Sequence, residues 1–224
     1  MNDWNRPNII QERKAALQIP DACLENLSTK GLLETCLKYP YLFEMWLFND
    51  YQTGFNMMSA RFNGYGELFK RPDLVNVLFD KYSQFSEDVK SVYLLEGDER
   101  AEFSFRHFAL EFMLAQDAVL ENLNAEQERE LFLLSLEHRE ITNSIFGGNH
   151  FISRALLYAK TVMRDNAAGD YANELSKFIK TPSSIAPNTV KYLDDYINKK
   201  YKQSAYETNS ITFFPSLPAN YNGL

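Results

Sequence analysis

The sequence predicts an all-α protein, an irregular multi-helix domain. Three observations carry that reading. Apolar residues recur at helical spacing in segment after segment, and start and stop signals bracket those segments. No stretch sustains the apolar-polar alternation of period two that marks a half-buried strand.

Taken in order, Ser28-Thr29 opens a helix whose apolar positions Leu32, Leu33, Cys36 and Leu37 share a face, and Tyr39-Pro40 stops it. Phe-Asn then recurs at heptad spacing, as Phe48-Asn49, Phe55-Asn56 and Phe62-Asn63. Seven residues are close to two helical turns, so residues 50–62 form a helix with its phenylalanines in one stripe and its asparagines in another. Tyr51, Phe55, Met58 and Phe62 complete the core stripe. Asn49 with Gln52 has the spacing of a capping box, and Asn63-Gly64 reads as the stop.

Arg71-Pro72-Asp73 starts the next helix, with proline suited to its first turn, and Leu74, Leu78, Tyr82 and Phe85 form its stripe. The segment containing Phe105, Phe108, Ala109, Phe112 and Met113 is apolar almost all round, which predicts a central helix. Asn124 and Gln127 repeat the cap spacing before Leu131, Leu134, Ile141 and Ile145, and Gly147-Gly148 reads as a hinge with Asn149 as the next N-cap. Ile152, Ala155, Leu156, Ala159, Val162 and Met163 form another stripe, ended at Ala167-Ala168-Gly169. Two shorter helices follow, over residues 171–179 and, after Pro187-Asn188, over residues 190–201. Residues 1–204 therefore make one helical domain. Residues 205–224, with Pro215, Pro218, Phe213 and Phe214, make a tail that either straps over the helices or stays loose.

Leu32, Leu33, Cys36 and Leu37 are echoed about 42 residues later by Leu74, Val75, Leu78 and Phe79, within the roughly 40 to 47 residues of helical repeats. Stacked helical hairpins, as in a solenoid, are the alternative architecture. The motifs Ile19-Pro20, Leu27-Ser28-Thr29, Leu33-Glu34-Thr35-Cys36-Leu37, Tyr39-Pro40, Gln52-Thr53-Gly54-Phe55, Phe62-Asn63-Gly64, Glu67-Leu68 and Arg71 have a further meaning. Over residues 19–79 the chain resembles the helical segment of an uncharacterised group of proteins, mostly exported, from gut anaerobic bacteria. The resemblance implies an extracytoplasmic home and assigns no activity. Some relatives continue into a Cys/His-containing region, but no cysteine follows Cys36 here, so activity of that kind does not carry over.

Composition narrows the function classes. Hydrophobic residues make up 45% and charged residues 24%, ordinary for a globular domain. A net charge of −7 repels a nucleic-acid backbone unless bases cluster, and the one dense run, Lys199, Lys200 and Lys202, reads as a solvated helix end. No apolar run approaches the ~18 to 20 residues of a membrane span. The N-terminus lacks a signal region, so the chain is cytoplasmic as it stands and extracytoplasmic if Met1 replaces a removed signal. Cys23 and Cys36 read as buried and reduced, with neither a disulfide framework nor a metal spacing.

The chemical constellations are sparse. His107 precedes Glu111 by one helical turn, so an imidazole-carboxylate pair is geometrically available as a base, but no nucleophile accompanies it in sequence. His138 falls on an apolar face between Leu134 and Ile141. Both read more simply as structural histidines. The acidic run Glu96, Asp98, Glu99 and Glu102 lacks calcium-loop spacing, and Gly147-Gly148-Asn149-His150 lacks the lysine and hydroxyl of a phosphate loop. No catalytic residue, metal site or cofactor is expected. Aromatics crowd between Tyr39 and Phe69, more than one modest core accommodates. Either several helices share a thick core there, or some of these rings border a binding groove at Trp46, Asn49, Tyr51, Gln52 and Asn56, where ring faces and amides suit a peptide, protein or glycan. The function expected is non-catalytic binding; the alternative is a hydrolase whose residues converge only in space.

Overall fold

The computed structural model describes residues 12, 15–84, 97–146 and 151–203. Among these, every regular element is a helix, and the all-α class holds. Phe85, Glu96, the Gly147-Gly148-Asn149-His150 segment and the 205–224 tail lie outside the described residues.

The helices are α1 (Asp21–Asn26), α2 (Thr29–Leu37), α3 (Tyr51–Arg61), α4 (Asn63–Leu68), α5 (Leu74–Ser83), α6 (Gly97–Leu114), α7 (Asp117–Leu120), α8 (Ala125–Phe146), α9 (Phe151–Arg164), α10 (Ala172–Lys180) and α11 (Pro187–Ile197). A 3-10 segment, Leu42–Leu47, precedes α3, and α11 runs on as a π-helical turn over Asn198–Gln203. Several boundaries have the predicted cause. Ser28 caps α2 by accepting the Gly31 N–H at 3.1 Å. Asn124 accepts the Gln127 N–H at 2.9 Å while Gln127 Oε1 accepts the Asn124 N–H at 3.1 Å, a complete capping box before α8.

Three boundary expectations are corrected. The cap of α3 is Asp50, whose carboxylate accepts the Thr53 N–H at 2.8 Å, and Asn49 stands outside the helix. A carboxylate at this position also complements the helix dipole, so it displaces the amide in that role. Asn63-Gly64 opens α4 instead of stopping α3; the break is made by Phe62 in extended conformation, φ −122° and ψ 114°. Pro72 lies in the turn before α5, ahead of the N-cap Asp73.

Helices α6 and α9 are the axis of the molecule. Helix α6 packs against α2, α5, α9 and the 3-10 segment, while α9 also packs against α10 and α11. From His107 to Ala115 every residue of α6 and its end is buried, as its all-round apolar pattern predicted. The echoing helices α2 and α5 lie side by side. Thr29 Oγ1 donates to Asp73 Oδ1 at 2.6 Å at their N-terminal ends, and Lys81 pairs with Glu34 at 2.9 Å further along, so they run parallel.

Two surface expectations also change. Cys36 is buried but Cys23 is exposed. Lys200 is not simply solvated: it holds Asp165 at 2.5 Å and Glu128 at 3.5 Å, beside Tyr201, whose ring stacks on Phe132. Lys199 and Lys202 are exposed as expected.

Candidate functional site

The aromatic and amide residues predicted to form a groove are drawn together, but largely into packing. Trp46 is half-buried, its ring 4.6 Å from Phe105 and 4.7 Å from Phe108, and Tyr51 meets Phe108 edge-on at 5.1 Å. Gln52 Nε2 donates to Asn56 Oδ1 at 2.9 Å and to Gln116 Oε1 at 3.1 Å, which ties α3 to the end of α6. Asn49 and Asn56 are exposed. This region is therefore an aromatic seam between the 3-10 segment, α3 and α6, with two amides at its rim.

His107 and Glu111 do form the predicted pair, with Nε2 and Oε1 3.9 Å apart and both side chains 1% exposed. What the sequence does not show is that two other helices converge on the same carboxylate. Tyr82 of α5 donates its hydroxyl to Glu111 Oε1 at 3.0 Å, Ser153 of α9 donates to Oε2 at 2.6 Å, and Arg154 NH1 lies 3.9 Å from Oε1. His138 of α8 closes the group, edge-on to Tyr82 at 4.2 Å and 5.8 Å from His107. Burial, reinforced by the neighbouring His107, pushes the His138 pKa down to about 3, so it is neutral at pH 7. Burial likewise pushes the Tyr82 hydroxyl far up, with the Glu111 charge adding to it.

A serine, two histidines and a carboxylate in contact invite a hydrolytic reading. The geometry opposes it. Ser153 is fully buried and gives its proton to Glu111, not to an imidazole, and both histidines are at most 3% exposed. Among the described residues no group of three or more His, Cys, Asp or Glu is placed to hold a metal ion.

From this core one side chain extends to a surface cavity. Arg154, 3% exposed, donates from NH1 to Thr142 Oγ1 of α8 at 3.2 Å and lines a cavity of about 270 Å³ between α8, α9 and α11. Phe151, Ala155, Ile185, Val190 and Leu193 make its walls apolar, and Tyr158 and Pro187 complete them. At the wall Arg139 pairs with Asp194 at 3.1 Å. Burial raises the Asp194 pKa, against the pull of Arg139 and Arg154. A mostly apolar recess with a few placed polar groups is the form of a small-molecule site.

The sequence did contain a signal for this site. Ser153-Arg154 interrupts a run, Ile152 to Ala159, in which every other residue is apolar, and Glu111 interrupts the apolar run of α6. Polar side chains inside a helix buried all round must be partnered, and here they partner each other. Comparison of the chain with protein-family models, curated proteins and solved structures finds no match.

Proposed function

We propose that this chain is a non-catalytic, ligand-binding helical protein whose ligand occupies the cavity between α8, α9 and α11. The observation that carries the reading is a buried guanidinium, Arg154, in the wall of an otherwise apolar recess of about 270 Å³. Sealing such a recess with a ligand buries apolar surface, worth roughly 25 cal/mol per Å². The enclosed positions of Ser153, His107, His138 and Glu111 support binding over hydrolysis, the competing class.

The test is a thermal-shift screen with small, largely apolar organic molecules, run beside ester and amide turnover assays. Saturable stabilisation without turnover is expected, about 2.7 kcal/mol at a hundredfold excess over Kd. Val190→Phe, at a half-buried position on the cavity wall, should abolish it. Turnover in these assays would favour the hydrolase.

A peptide or glycan partner is a second reading. It is favoured by Phe43 and Leu47, exposed at 44% and 71% on the 3-10 segment that carries Trp46. Leu47→Lys with Asn56→Ala, both at exposed positions, should abolish capture of such a partner without lowering stability.

A further inference from the structure

The class of ligand follows from how unequally the two buried charges beneath the cavity are satisfied, an argument that rests on the binding function proposed above. Glu111 receives two hydroxyl hydrogen bonds, from Tyr82 and Ser153. Arg154 makes one, to the neutral hydroxyl of Thr142, and its nearest described carboxylate oxygen is 3.9 Å away, close enough to attract but too far to accept a hydrogen bond. A guanidinium carries five N–H donors in a planar fork. One hydrogen bond to Thr142 leaves most of that fork without a described acceptor, and the residue itself lines the cavity.

We propose that the cavity binds a small organic acid, a carboxylate on an apolar body, with the carboxylate received by Arg154 and the body lying against Phe151, Ala155, Ile185 and Val190. A planar carboxylate matches the guanidinium fork through two parallel hydrogen bonds, which a hydroxyl or an amide cannot reproduce. The one acid on the wall, Asp194, would repel an incoming anion, but Arg139 pairs with it and offsets its charge. A neutral alcohol of the same shape would strip water from the Arg154 donors and return neither a counter-charge nor the second parallel hydrogen bond, so it binds less well. Volume sets the size. At about 270 Å³ the cavity lies at the lower edge of ligand sites, roughly 300 to 1,000 Å³.

The experiment is calorimetric titration of the whole chain with octanoate, hydrocinnamate, phenylalanine and 1-octanol. Octanoate or hydrocinnamate should bind at least about tenfold more tightly than 1-octanol, the value of one good charge-assisted interaction. Phenylalanine binding would support the same chemistry with a zwitterionic ligand. Equal affinity for acid and alcohol would overturn the carboxylate proposal and leave the binding function standing, whereas no binding by any probe would count against both. Because Arg154→Gln risks the fold, the direct readout uses unaltered protein: carboxyl-labelled octanoate followed by carbon NMR. Its bound carboxyl should titrate below the free acid. A bound carboxyl that titrates above the free acid would place it away from Arg154 and overturn the assignment.

Discussion

Asn63 holds the backbone of Ile19 from both sides, donating from Nδ2 to its carbonyl at 2.8 Å and accepting its N–H on Oδ1 at 3.0 Å. Gln18 answers in kind. Its Oε1 accepts the Asn63 N–H and its Nε2 donates to the Arg61 carbonyl, each at 2.9 Å. The third asparagine of the Phe-Asn series therefore serves as a clasp that fixes the segment before α1 against the break between α3 and α4.

Asn63→Ala should remove both bonds and cost about 1 to 3 kcal/mol, since each is part-buried and worth about 1 kcal/mol. Urea denaturation measures the loss. Amide exchange should localise it, with the Ile19 N–H losing protection while the α6 core keeps its own.

Gly54 marks the closest approach of α3 to the 3-10 segment. A Cβ there would stand 2.2 Å from the Met45 carbonyl oxygen, a backbone atom that cannot rotate away. Alanine gains about 1 kcal/mol in helix propensity over glycine, but the forced displacement costs about 1 to 3 kcal/mol. Gly54→Ala should therefore destabilise the protein on balance, seen as a lower midpoint in chemical denaturation.

Local signals made most helices legible and left the site mostly hidden. Ser28, Asn124 and Gln127 act at the positions where their sequence spacing puts them, because capping is decided within one turn. Asn49 misled because Asp50, its neighbour, is the better acceptor for an orphan amide. Asn63-Gly64 misled because both tolerate a helix end, while Gly64 is needed for contact: a Cβ there would meet the Phe62 ring at 2.5 Å and the Cys36 sulfur at 3.2 Å. The pair His107 and Glu111 was readable from one-turn spacing, but Tyr82, Ser153 and Arg154 reach the same carboxylate from other helices. Periodicity carries no information about which helices meet.

Trp46 was predicted as a binding anchor; its ring packs on Phe105 and Phe108. Trp46→Ala should cost about 3 kcal/mol, the low end for core aromatic truncation because the ring is only half-buried. A thermal melt is sufficient. A stability loss below about 0.5 kcal/mol, typical of surface sites, would show the ring to be free for a partner.

Tyr82→Phe should cost about 1.5 to 3 kcal/mol, the worth of a hydrogen bond to a charged group, without creating a cavity. Glu111→Ala should cost more, about 3 to 5 kcal/mol, because it leaves Arg154 buried without its counter-charge. If Ser153, Tyr82 and Arg154 act as one network, the losses from Glu111→Ala and Tyr82→Phe combined should fall short of additive in a double-mutant cycle.

Buried His138 is held near pKa 3 against 6.5 when unfolded, so below pH 6.5 the unfolded chain takes up a proton that the native chain refuses. Stability contributed by the neutral ring is complete above pH 6.5 and declines as pH falls, until the native state is itself protonated near 3. Between pH 7 and 5 the loss is about 2 kcal/mol for this one group. That window separates it from carboxylates held below their usual range: although partial burial opposes it, hydrogen bonds from Tyr201 and Arg164 lower the Glu128 pKa, and those from Lys200 and Tyr196 lower that of Asp165. Among the described residues, Tyr82, His107, Glu111 and Arg154 face His138. Replacing His138 with leucine should flatten the stability profile between pH 7 and 5 by that amount, measured by urea denaturation at each pH. An unchanged slope would mean that the proton is taken up elsewhere.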